Sequence, residues 1–249
     1  MILKVKKYRG RGSIYSKGTF KDLSLCDLLE INEKLWKGSM REYNERYSDR
    51  YIKDKIMYRK IHCKIVADLG KDMFNSNFSC LNLKENRIYL ENVLYLGCLT
   101  HDIRKFDKKH GAYGANWMLS KLTDDEYCKK NNIPILSIDV CNDICILIKF
   151  HKSNNLQKSI IDEAISNNYI VDENIKSLLF FIRLSDKLSH FIVESKFKVI
   201  TEKDVLKKTN EFLIKMNDSL LEEDLLNKVL DNILKDFKDM YCNRQILCF

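Results

Sequence analysis

Histidine and aspartate stand side by side at His101-Asp102, with Thr100 before them, Lys105 three residues beyond and His110 further on. A neutral imidazole and a carboxylate are the side chains that hold borderline and hard divalent cations. The chain has five histidines in 249 residues, and four of them, His62, His101, His110 and His151, fall where a single ligand set would need them. Asp186, inside Arg183-Leu184-Ser185-Asp186-Lys187, completes the set. Neighbouring residues of a helix diverge by about 100°, so His101 and Asp102 converge on one site only where a helix ends or its side chains bend inward. Asp186 lies between Leu184 and Leu188, and a carboxylate on an apolar stretch is costly to bury unless it is paired or coordinates a cation. An ordinary ion pair with Lys187 or Arg183 would also satisfy it. His190, four residues past Asp186, reads as a helix-face or supporting residue rather than a ligand.

The elements that must position these side chains read as helices. One proline and eight glycines leave little turn chemistry, and strand-like alternation is scarce. The expectation is therefore an all-α fold of long helices joined by short connections. Residues 1–20 are basic, contain Gly10, Gly12 and Gly18, and suit an irregular lead-in or flap. Residues 22–47 predict one or two helices with Leu25, Leu28, Leu29, Ile31 and Leu35 as the apolar stripe. Between about Tyr51 and Phe74, Ile61, Ile65 and Leu69 recur at helical spacing with His62 beside them. A helix over about Ile88 to Ile103 should bury Leu90, Val93, Leu94 and Leu96, with Gly97 allowing a neighbour to come close. Gly111 to Ala115 opens the next, which reaches about Leu122. The polar stretch 123–136, with the single proline Pro134, reads as a loop. Ile138 to Phe150 predicts a central apolar helix ending before His151. Further helices are expected over 157–167, 173–198, 202–218 and 220–241. This divides the chain into a partly helical extension (1–50), a core (51–198) and C-terminal helices packed on it (199–249).

Composition bounds the class. A hydrophobic fraction of 45% with 31% charged residues is that of a globular protein. The net charge of +8 suits an anionic substrate, although abundant Lys, Asn and Ile also follow from biased base composition. The N-terminal Met1 to Lys7 has no apolar core for a signal peptide, and no window approaches a membrane span. Nine scattered cysteines without a C-x-x-C pair point to a cytoplasmic protein with mostly buried thiols. Cys141 and Cys145 share a helical face, but Val140, Ile144 and Leu147 around them argue for core packing rather than a metal pair.

Five segments together resemble one family. Leu99-Thr100-His101-Asp102-Ile103-Arg104-Lys105 is similar to the "L-x-H-D-[IL]-x-K" core of the HD-domain superfamily of metal-dependent phosphohydrolases. His62 precedes it, as that family's order requires. His110-Gly111-Ala112-Tyr113-Gly114-Ala115 resembles the "H-x-x-x-G-A" segment of two-metal members, and Ile148-Lys149-Phe150-His151 their "I-x-x-H" helix end. Arg183 to Leu188 resembles "[VL]-x-x-A-D-[KR]-[LI]", with Ser185 in place of the usual alanine. The resemblance covers roughly residues 55–195 and implies a helical HD-domain bundle with extra N- and C-terminal helices. It implies that His62, His101, Asp102 and Asp186 ligate one metal ion and that His110 and His151 bind a second, with Asp102 bridging. The ions would be divalent or iron-type (Fe, Mn, Co, Ni or Zn).

Two cations roughly 3.5–4 Å apart can share a hydroxide, lower the pKa of bound water from about 15.7 to about 7, and polarise a phosphoryl oxygen. The implied reaction is attack of metal-bound hydroxide on a phosphoester or phosphoanhydride of a nucleotide or dinucleotide. Lys105 would serve transition-state charge or the bridging water, beside Asp102 as the second catalytic residue. Arg104, Lys149, Lys152 and Arg183 flank ligand positions and are expected to clamp further phosphates. Relatives that cleave dinucleoside tetraphosphates and those that act on cyclic dinucleotides share the segments, but the G-Y-P signature of one cyclic-dinucleotide subclass is missing after His151. The same ligand set occurs in HD-fold di-iron oxygenases. A regulatory scaffold binding nucleic acid through the basic residues of 1–20, with Tyr8 and Tyr15 interleaved, is the third reading. Residues 1–50 and 199–249 could cap the site or form a homodimer surface.

Overall fold

A computed structural model of the chain describes residues 15–46, 50–151, 171–194, 203, 207, 211 and 224–233. It is all-α. Among the described residues eight helices have defined ends: α1 (Lys17–Phe20), α2 (Leu25–Arg46), α3 (Arg50–Asn77), α4 (Arg87–Thr100), α5 (His110–Leu122), α6 (Asp125–Lys130), α7 (Ile138–Phe150) and α8 (Glu173–Glu194). A single 3₁₀ turn, Phe78–Cys80, follows α3, and residues 224–233 are helical. The extended pairing among the described residues is one isolated parallel bridge, Tyr15 to Leu136. No helix there is long and apolar enough to cross a membrane.

Helix α4 is the axle. From Tyr89 to Thr100 every residue except Glu91 is buried, because α2, α3, α7 and α8 all pack around it. Its start is set by Asn86, whose side chain accepts from the amides of Ile88 and Tyr89 at 2.9 and 3.2 Å, which satisfies two of the donors a helix N-terminus leaves open. Ser24 and Asp27 cap α2 reciprocally, Ser24 N donating to Asp27 Oδ2 at 2.8 Å and Asp27 N to Ser24 Oγ at 3.3 Å. Asp172 caps α8 through the amide of Ile175 at 2.9 Å.

Close approach of α7 to α4 depends on Gly97, as its position in the apolar run suggested. A Cβ there would lie 3.0 Å from Leu147 Cδ1. Cys141 and Cys145 are buried in α7 as core residues.

Several expectations change. Of the expected α3 stripe, Leu69 is buried and Ile65 packs partly against the core, but Ile61 is 56% exposed, while Cys63, Val66, Ala67, Met73 and Phe74 are buried. The small residues Cys63, Ala67 and Gly70 let α3 sit close to α4 and α8. A Cβ on Gly70 would meet Cys98 Sγ and Ser185 Oγ at 3.3 Å. That closeness outweighs the hydrophobicity of Ile61. The stretch 123–136 is not all loop, since α6 forms within it, capped by Asp124 Oδ1 on Tyr127 N at 3.0 Å. Residues 15–20 are not an irregular flap: Tyr15 exchanges backbone bonds with Ile135 and Ser137, and Phe20 is buried. The helix expected over 157–167, all of the one over 202–218 except residues 203, 207 and 211, which are helical, the ends of those over 173–198 and 220–241, and Tyr8 lie outside the described residues.

Candidate metal centre

The same device positions two of the histidines. Helices α4 and α7 end on His101 and His151, each in the C-cap position with helical backbone angles. Last-turn carbonyls lack an intrahelical donor. Here Cys98 O faces His101 Nδ1 at 2.7 Å and Ile148 O faces His151 Nδ1 at 2.6 Å. A carbonyl only accepts, so the ring proton sits on Nδ1 and the Nε2 lone pair is presented to the site. Ser189 does the equivalent for His62. Its hydroxyl donates to Asp186 O at 2.8 Å and is left to accept from His62 Nδ1 at 3.3 Å. His62 Nε2 then stands 3.0 Å from Asp186 Oδ1. Two acceptors at that distance need a shared proton or a cation between them.

All six of the predicted metal ligands come together. Asp186 Oδ1 lies 3.0 Å from His62 Nε2 and 3.5 Å from His101 Nε2. The two oxygens of Asp102 face different histidines: Oδ2 is 3.8 Å from His101 Nε2, and Oδ1 is 3.3 and 3.6 Å from the Nε2 atoms of His110 and His151. His62, His101 and Asp186 form one triad with metal-ligand spacing, and His101, Asp102 and His151 another. An imidazole nitrogen has one lone pair, whereas a carboxylate offers two oxygens. Asp102 is therefore the residue able to serve two ions.

The fit to a metal is tested by the orphaned atoms. The Nε2 atoms of His101, His110 and His151 are buried with no hydrogen-bond partner among the described residues, a state that costs free energy unless something fills it. Three convergent imidazoles and two carboxylates are a donor set for a divalent transition metal. The residues fit.

No family model, no curated protein and no solved structure matches this chain. What the site can do is therefore read from its own geometry.

Without an ion, the charges hold one another. Burial alone would raise the Asp102 carboxyl, but His101, His110 and His151 hold it well below the usual carboxylate range. Burial would likewise raise Asp186, which His101 and His62 hold well below that range. His101 is pulled down by burial and pushed up by Cys63, Asp102 and Asp186, with the net result well above an ordinary histidine. Burial dominates at His151 and lowers it. The signs give a pH profile. The depressed carboxylates contribute stability that is present above about pH 3.9 and lost as pH falls through their native values. The raised His101 contributes stability that is present below about pH 6.5 and lost as pH rises through its native value. The lowered His151 works the other way, its contribution being present above about pH 6.5 and lost as pH falls through its native value. The two histidines therefore oppose each other, and the carboxylates set the acid limit. Added metal, which must displace the His101 proton, should raise the melting temperature more at pH 8 than at pH 6. Melting curves with and without Mn²⁺ at both values check this; an equal rise at both would contradict it.

Lys105 donates to both Asp102 oxygens, at 2.9 and 2.7 Å, from one turn further along the chain. Arg59 was missed by the sequence reading. Its Nη1 is buried, has no hydrogen-bond partner among the described residues, and lies 3.6 Å from Asp102 Oδ2. The signal was its position three residues before His62, on the same helical face. Cys63, Ser189 and His190 also border the cluster, His190 Nε2 lying 3.6 Å from Asp186 Oδ1.

The expected phosphate clamps separate. Arg104 is a correction: it is 1% exposed and faces away from the ligands, paired with Glu42 at 3.0 Å and Asp107 at 2.6 Å. Its side chain is consumed by that pairing. Arg183 is largely buried one turn before Asp186, and burial lowers its pKa to about 10. Lys149 lies on the last turn of α7 with its ammonium 5.0 Å from the Phe150 ring. Lys152 lies outside the described residues.

His110 reaches the cluster because α5 starts against the end of α7. Lys109 takes a left-handed conformation (φ 54°, ψ 47°) to turn the chain into α5, and a Cβ on Gly111 would lie 2.8 Å from Lys149 O. Gly111→Ala is expected to push the helix start outward, costing about 1–3 kcal/mol and moving His110 from Asp102. Thermal denaturation of the metal-free protein measures the first effect, and metal content the second.

Proposed function

We propose that this chain is an HD-type metal-dependent phosphohydrolase, cleaving a phosphoester or phosphoanhydride bond of a nucleotide or dinucleotide. The observation that carries the reading is the split of the Asp102 carboxylate, with one oxygen toward His101 and the other toward His110 and His151. His62, His101, Asp186 and Asp102 Oδ2 would hold one ion, and His110, His151 and Asp102 Oδ1 the second. Bound ions supply Lewis acidity and bring a water's pKa to about 7. The protein's own part is positioning and charge. Asp102 and Asp186 balance the histidine cluster, and the backbone carbonyls of Cys98 and Ile148 keep His101 and His151 in the tautomer that ligates. Lys105 and Arg59 place two cations at the Asp102 edge of the site, where they would stabilise negative charge developing on a phosphoryl group. An anionic substrate also agrees with the net charge of +8.

The test is phosphate release on a panel of dinucleoside polyphosphates, cyclic dinucleotides, guanosine polyphosphates and deoxynucleoside triphosphates, with Mn²⁺ or Fe²⁺ supplied. Hydrolysis of one class supports the reading. Two irons with oxygen consumption and no hydrolysis would overturn it in favour of an oxygenase. Lys105→Ala is expected to keep the ions while lowering kcat about 10²–10³-fold. Loss of metal in that variant would make Lys105 structural.

A further inference from the structure

The turn that carries Asp102 and Lys105 is held by a helix outside the ligand set. Along one face of α2, Trp36 Nε1 donates to Leu99 O at 3.2 Å and Ser39 Oγ donates to Ile103 O at 2.8 Å. Tyr43 OH donates to Asp107 Oδ2 at 3.2 Å and accepts from Phe106 N at 3.3 Å. Arg46 pairs with Asp107 Oδ1 at 3.4 Å. Each bond ends on residues 99–107, which are the last turn of α4 and the chain that leads from it toward α5.

Arg104 is the centre of this grip. Its guanidinium lies 4.4 Å from the Tyr43 ring centroid and 5.7 Å from that of Trp117, while Nη1 meets Glu42 and Nε meets Asp107. Glu42 also accepts from Trp117 Nε1 at 2.8 Å and pairs with Lys121 at 2.9 Å. Trp117 and Lys121 belong to α5, whose first residue is His110. The planar fork and flat face of arginine suit this place, where two carboxylates and two rings must be met at once. One side chain thus ties α2, the ligand-bearing turn and α5 together.

We propose that Arg104 is a positioning residue for the half-site of Asp102, Lys105 and His110, and that α2 belongs to the site's machinery through it. The functional meaning rests on the metal-centre reading, but the placement of His110 does not.

Arg104→Met keeps the stem and removes the fork. Histidine-selective NMR of the metal-free protein, with five ring signals to follow, should show the His110 signal shifted or broadened while those of His62 and His190 stay in place. Equilibrium dialysis with Mn²⁺ should show the second ion bound at least tenfold more weakly, and the first, which keeps His62, His101 and Asp186, weakened less. Arg104→Lys should restore part of both effects. An unmoved His110 signal, or all five moving together as in general loosening, would overturn the proposal. If the unmodified protein takes up no Mn²⁺, the metal-centre reading fails and the NMR comparison alone decides the positioning role. If Arg104→Met does not fold, Glu42→Gln is judged by the same signals. It removes the charge opposite Arg104 and leaves an acceptor for Trp117.

Discussion

Asp102→Ala is expected to release both ions and to lower phosphate release by at least about 10³-fold. Its two oxygens face two groups of histidines, so one substitution removes a ligand from each ion. Loss of one preorganised electrostatic contact already costs about 10²–10³ in kcat, and here it falls on both cations. The variant should also be less stable without metal. Asp102 is buried between Lys105 and Arg59, and removing one partner of a buried pair costs about 3–5 kcal/mol. Part of that cost is relieved because Lys105 and Arg59 keep some exposure to water. Denaturant unfolding in chelator measures the stability change, and elemental analysis the ions. Retention of two ions per chain would exclude Asp102 as the shared ligand.

His101→Ala should give the second large effect, with a different signature. The side chain is fully buried at the end of α4, so truncation leaves a cavity and an unmatched Cys98 carbonyl. A large-to-small change of this kind costs about 2–4 kcal/mol. Because an imidazole nitrogen serves one ion, the variant should keep the ion held by His110, His151 and Asp102 and lose the one held with His62 and Asp186. His62→Ala should lose that same ion. His110→Ala should lose the other, and opposite losses in these variants would show two separable half-sites. The alternative outcome, in which His101→Ala and His110→Ala release the same single ion, would reduce the centre to one metal.

The ligand residues were legible in the sequence because chemistry constrains their type and helix ends constrain their place. His101 and His151 had to close helices, and they do, at the ends of α4 and α7. The ends of α7 were readable because a strongly apolar stretch runs from Ile138 to Phe150, and Ser137 caps its start. Periodicity failed where packing distance mattered more than hydrophobicity. Ile61 looked like core, but the small face of Cys63, Ala67 and Gly70 is the one turned inward. Helix α6 was hidden by polar composition, although Asp124 at its start and Lys129-Lys130 at its end are cap and dipole signals. Of the carboxylates that Arg104 meets, Asp107 lies at the local i+3 spacing, but Glu42 was not readable. Glu42 lies 62 residues before Arg104, and no local pattern says which helix an arginine will meet. The same holds for Ser189 behind His62, which is 127 residues distant.

The most direct measurement is the number of metal ions per chain in protein purified without oxygen and equilibrated with Mn²⁺, taken for the unmodified protein and for His110→Ala. A centre shared through Asp102 predicts two ions falling to one. One ion in both would contradict a dinuclear centre, and none in either would contradict a metal site altogether.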